Sequence, residues 1–208
     1  MSLETLKPKV AELIEKAEAE KFLYELSGTW TNQFSSGFFR GATKILRLNF
    51  ENAIVARSVF NGCLAEIIDY YINCSKATDI NRLFQSCPNL KFLYGVDTSS
   101  CANCTYFLSG CSSLETIQIP FDFSLVTQNA SSFNGCVALK NIRFVAECIK
   151  LSISFSSSSL LSDESIQSII DGLATVETAQ TLTLHADVKA KLTQTQLDTI
   201  TSKNWSVA

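Results

Sequence analysis

Phe133-Asn134-Gly135-Cys136 is one of four copies of a short pattern; the others are Phe60-Asn61-Gly62-Cys63, Phe84-Gln85-Ser86-Cys87 and Leu108-Ser109-Gly110-Cys111. Each runs apolar, polar, Gly or Ser, Cys, and the cysteines fall 24, 24 and 25 residues apart. Three copies continue alike, with Leu three and an apolar residue six positions after Cys: Leu90 and Leu93, Leu114 and Ile117, Leu139 and Ile142. After Cys63 the text fits only with about two residues deleted. A degenerate copy is expected upstream at Phe34-Ser35-Ser36-Gly37, feeding Ile45–Phe50. A unit this short cannot close its own core and must stack on its neighbours. Each Leu-x-x-Ile stretch is then one strand of an α/β solenoid of about 24-residue units. Strand alternation turns Leu114, Ile117 and Ile119 inward and Gln118 outward. At the corner, Phe and Cys face in and Gly or Asn makes the turn.

Composition narrows what such a stack does. Of the 208 residues only 18% are charged, the net charge is −3, and there is a single histidine. No basic tract offers an electrostatic footprint for nucleic acid. A His-based relay or His-rich metal site depends on His185 alone. The first eight residues have neither a basic n-region nor an apolar h-region, so no signal peptide is visible and no run is long enough to span a bilayer. The chain reads as soluble, cytoplasmic as written, and at a cell surface only if a leader was removed. That context does not favour a disulfide framework for the eight cysteines.

The repeats resemble a known family. Asp97-Thr98-Ser99-Ser100-Cys101-Ala102-Asn103-Cys104-Thr105-Tyr106-Phe107-Leu108-Ser109-Gly110-Cys111, with the Cys-x-x-Leu-x-x-Ile that follows, is similar to the BspA-type leucine-rich repeats of bacterial surface proteins and related phage-encoded proteins. The resemblance covers about residues 33–155. The stretches around Cys63 and Asp122 depart from the pattern. Cys101 and Cys104 stand where the family has Val and Met. The resemblance implies surface attachment or a phage-associated recognition role, with a virion-associated location as the alternative.

A solenoid needs caps at both ends. Residues 1–28 carry Leu6, Val10, Leu13, Ile14 and Ala17 at helical spacing, predicting a helix over Thr5–Leu26 that stops at Gly28. It caps the first unit or, through its 4-3-4 spacing, mediates homo-oligomerisation. The solenoid itself occupies 29–159, ending in a Ser156–Ser159 connector. Residues 160–208 form a capping module: a helix begun at Ser162-Asp163-Glu164, a strand at Gln180–His185, a helix from about Asp187, and a last helix capped by Thr193.

Chemistry is sparse. Cys101-Ala102-Asn103-Cys104 is a Cys-x-x-Cys pair, but no second pair completes a zinc site and no βαβ context makes it thioredoxin-like. Cys63, Cys87, Cys111 and Cys136 are expected to form a buried ladder of free thiols, with Cys101 and Cys104 filling adjacent core positions; Cys74 and Cys148 have no assigned place. No nucleophile motif accompanies His185. No catalytic residue, metal or cofactor is assigned. The outward strand column, Arg47, then Ile68 or Tyr70, Tyr94, Gln118 and Arg143, carries residue types common at interaction hot spots. It is the candidate surface for a protein or glycan partner, with a metal- or redox-dependent role for Cys101 and Cys104 as the alternative.

Overall fold

A computed structural model describes residues 23–25, 39–43, 47–49, 53 and 55–208, the first and third of these segments by their backbone alone. The chain forms short strands separated by turns: β1 (Leu23–Glu25), β2 (Arg47–Asn49), β3 (Ile67–Ile72), β4 (Phe92–Val96), β5 (Thr116–Ile117) and β6 (Ile153–Phe155). There follow α1 (Asp163–Gly172), β7 (Gln180–Leu184), α2 (Ala186–Lys189), α3 (Gln194–Ser202) and β8 (Trp205–Val207). All strand pairs are parallel, in three small sheets ordered β1-β2, β3-β4-β5 and β6-β7-β8. Between β5 and β6 the bridges Thr116–Asn141 and Phe121–Phe144 carry the pairing onward.

The pairing offset matches the cysteine spacing: Leu93 sits opposite Ile117, and the return side repeats it in the bridges Val55–Asp79, Asp79–Asn103 and Asn103–Gln128. Backbone N–H groups at the corners donate to the next unit, Phe60 to Leu83, Phe84 to Phe107 and Leu108 to Ser132. Every turn of chain is thereby tied to the following one on both sides.

Tight corners require left-handed backbone. Gly62, Gly110 and Gly135 have φ between 74° and 79°, and Ser86 takes the same place at 59°. At Gly110 the left-handed backbone favours glycine, while a Cβ would meet the Ser86 backbone at an ordinary contact distance of 3.5 Å. Ser58, Arg82, Tyr106 and Ser131 form a second left-handed column without any glycine.

The interior is aromatic. Phe39, Phe60 and Phe84 stack at 5.3 and 4.9 Å; Leu108 interrupts the column, and Phe133 and Phe155 resume it at 4.9 Å. Each buried ring contributes about 2–3 kcal/mol by removal from water. Phe107 leans in edge-on, 6.0 Å from Phe84, where Leu108 leaves room.

Several expectations change. Leu23–Glu25, placed in the N-terminal helix, is a strand one repeat before Arg47–Asn49, and Phe22-Leu23-Tyr24 has the aromatic content strands favour. The rest of that helix, its oligomerisation seam and Phe34–Gly37 lie outside the described residues. The upstream corner is Phe39-Arg40-Gly41-Ala42, which donates to Val59 and Gly62 and has Gly41 at φ 76°. The deletion after Cys63 is one residue, since Ile68 pairs with Leu93; a bulge between Ile68 and Tyr71 then absorbs it. Ser156–Ser159 is not a free connector. Phe155-Ser156-Ser157-Ser158 is another corner, and the fully buried Ser158 hydroxyl donates to Cys136 O at 3.0 Å.

In the last 50 or so residues helices stand where the earlier units have strands: α1 runs beside residues 140–149, with Ile142 N donating to Ser165 Oγ and Phe144 N to Ser168 Oγ. α1 starts on Ser162, whose hydroxyl accepts from Ser165 N, and buries Ile166, Ile169 and Ile170. α3 starts on Thr193 in a capping box with Gln196. Lys203 Nζ donates to Leu173 O at 2.6 Å, closing the open end of α1, and the Trp205 indole donates to Ala174 O.

Candidate partner-binding face

Tyr94, Gln118 and Arg143 come together on one face. Register places Tyr94 beside Gln118, because Leu93 pairs with Ile117, and Ile117 N donates to Asn141 O, which brings Arg143 into the same row. All three are exposed, and the Arg143 guanidinium donates to Gln118 O. Arg47 lies on β2 with its backbone opposite Leu23. Ile68 and Tyr70 do not belong to this row. Burial in β3 alternates, turning Ile68, Tyr70 and Ile72 inward and Ile67, Asp69 and Tyr71 outward. The row therefore reads Asp69, Tyr94, Gln118, Arg143.

Residues missed by sequence reasoning complete the face. Ile67 is 60% exposed and Tyr71 43% exposed, beside half-buried Phe92 and Ile119; Ile119, expected to point inward, instead closes over the side-chain-free Gly95. Gly95 has no side chain between Tyr71 and Ile119; a Cβ there would be 2.5 Å from Ile119 Cβ, so the two neighbours close over it. The Tyr71 phenol is pushed up to about 12, first by burial and then by the charge of the Asp97 carboxylate. At the start of the strands Glu66, Lys91, Glu115 and Lys140 form a column of alternating charge, with Lys91–Glu66 and Lys140–Glu115 contacts of 2.8 Å. The signal was present in the sequence: Lys91, Glu115 and Lys140 each lie four residues after a corner cysteine.

All eight cysteines are free and buried. Corner thiols donate to the backbone of the preceding unit: Cys87 to Phe60 O, Cys111 to Phe84 O and Cys136 to Leu108 O, at 3.0–3.3 Å. A thiol is small enough for the corner and is still a donor, which Ala and Val are not. Cys101 repeats the position of Ala77 and Val126, each closing the same turn. Cys74 and Cys148 gain a role as well. With Thr98 and Phe123 they make an inward column just beyond the strands, all at most 2% exposed.

Burial pushes Cys63 up to about 11 and Cys136 to about 12. Cys101 is raised most by its hydrogen bond with Cys104 and then by burial; Cys87 is raised in the same way by Cys111. Such thiols are poor nucleophiles and poor ligands at neutral pH. No group of three or more His, Cys, Asp or Glu placed to hold a metal ion occurs among the described residues. His185 is an N-cap, its Nδ1 accepting from Asp187 N at 3.2 Å. No helix among the described residues is long and apolar enough to cross a membrane.

No protein-family model, curated protein or solved structure matches this chain.

Proposed function

We propose that the chain is a non-catalytic recognition or adhesion module: a leucine-rich-repeat solenoid of the BspA type that presents its strand face to a protein or glycan partner in a bacterial-surface or phage setting. The observation that carries this reading is the row Tyr94, Gln118 and Arg143, held exposed on paired backbone beside the exposed Tyr71 ring. Aromatic and Arg side chains on rigid elements lose little entropy on binding and are the usual anchors of interfaces. The motif resemblance supports the setting, and the parallel pairing at the repeat spacing supports the solenoid. A metal or redox role for Cys101 and Cys104 has less behind it, since both are fully buried and hydrogen-bonded inside the stack.

Screening the full chain against a glycan array and a displayed-peptide library tests the reading. Tyr94→Ala with Arg143→Ala is expected to abolish the hits while leaving the melting temperature in place. Hits that survive the double substitution reject this face.

A further inference from the structure

The strand face has a symmetry in its charges. Along the row, Asp69 stands at one end and Arg143 at the other, with Tyr94 and Gln118 between. Along the strand starts the order is Glu66, Lys91, Glu115, Lys140. Both series change sign when reversed about the midline between β4 and β5. Between them lies the apolar and aromatic surface of Ile67, Phe92, Tyr71, Tyr94 and Ile119.

We infer that the partner of this face is a second copy of the same face, docked about a two-fold axis that runs parallel to the strands between β4 and β5. The inference rests on the reading of the strand face as a binding surface and names its occupant. Rotation about that axis keeps the strand direction and reverses the order of units. Asp69 then meets the second copy's Arg143, Glu66 meets Lys140, and Lys91 meets Glu115, each contact occurring twice, as an isologous interface requires. Charge complementarity therefore supports this arrangement.

Asp69 has no hydrogen-bond or ion-pair partner among the described residues, and Arg143 has only the Gln118 carbonyl. Each is left with bonding capacity that the second copy uses. Gly95 contributes by letting Tyr71 and Ile119 close into one surface without a ridge. Four strands about 4.8 Å apart and three outward rows cover roughly 300 Å² per copy. That is below the ~800 Å² per partner of a standard interface, so the dimer is weak and reversible.

Sedimentation velocity of the full chain, over a concentration series at low and high salt, reads this directly. The expected result is a monomer–dimer equilibrium that weakens as salt rises. Asp69→Arg alone and Arg143→Asp alone each weaken it at least tenfold. The two substitutions in one chain restore it, because the charges are exchanged and not lost. An equimolar mixture of the two single variants associates for the same reason, which guards against a variant that merely fails to fold. A wild-type chain monomeric at about 1 mM in low salt, or a dimer indifferent to the reversals, overturns the inference. Array or library hits lost with Tyr94→Ala and Arg143→Ala would leave the binding reading standing even then.

Discussion

The central units, from Phe60 to Phe144, and the C-terminal units, from Ile153 to Val207, share parallel pairing on the corner side but build the opposite side differently. In the centre the return is made of turns, with left-handed residues at Arg82, Ser86, Tyr106 and Gly110 and a filling of phenylalanine rings and thiols. At the C-terminal end the corner side carries β6, β7 and β8, and helices α1 and α3, started by Ser162 and Thr193, stand where the centre has strands β3 to β5. A helix satisfies its own backbone, whereas a strand or turn must hand its N–H groups to the next unit. Stability in the centre therefore depends on neighbours, and at the end on caps.

The sharpest way to break the central scheme is to empty its interior. Phe133 touches Phe121, Phe123, Phe144 and Phe155, and Phe133→Ala is expected to cost about 3–5 kcal/mol in chemical denaturation. A loss under 1 kcal/mol contradicts a packed aromatic column.

Alkali separates the two regions next. Cys63 and Cys136 have folded values of about 11 and 12, above the ordinary thiol value of 9.0. A raised acid is stabilising while it stays neutral, so this contribution is complete below pH 9 and is lost as pH climbs through 11 to 12. Hydrogen exchange at increasing pH should show the centre losing protection before the helical end, which carries no cysteine after Cys148. At neutral pH the same thiols should resist alkylation until denaturant is added; rapid native labelling of most of them contradicts the buried columns.

Backbone substitutions follow in size. Gly110→Ala places a Cβ on a residue at φ 79° against the Ser86 backbone and should cost about 1–2 kcal/mol. Ser86→Gly relieves the same conformation one unit earlier and should gain up to about 1 kcal/mol. Opposite signs in thermal melts are the expected outcome. The smallest effect belongs to the helical end, where Thr193→Ala removes a capping box at a cost of about 1 kcal/mol.

Which parts of this were legible beforehand follows from the same contrast. The corner motif is specific because Gly, Phe and Cys each answer one local demand, and the 24-residue spacing of Cys87 and Cys111 equals the pairing offset of Leu93 and Ile117. Ser162 and Thr193 were legible for an equally local reason. Illegible were places where neighbours decide. Ile67-Ile68-Asp69-Tyr70-Tyr71-Ile72 offers apolar residues on both faces, so its direction depends on the bulge against Leu93 and Gly95, and Asp69 was passed over. Phe155-Ser156-Ser157-Ser158 hid a corner behind a run of serines, because a hydroxyl takes over the thiol's hydrogen bond. Leu23–Glu25 gave too few residues for alternation to outweigh the helical spacing before it.

The alternating column of Glu66, Lys91, Glu115 and Lys140 bears on how such an array can lengthen. Copying a single unit in tandem, or excising one, sets two like charges one strand spacing apart, as when loss of the Glu115 unit brings Lys91 against Lys140. Copying two units at once preserves the alternation. The heritable module of this ladder is a pair of repeats, about 49 residues of coding sequence, and not the single motif by which the eye first finds it.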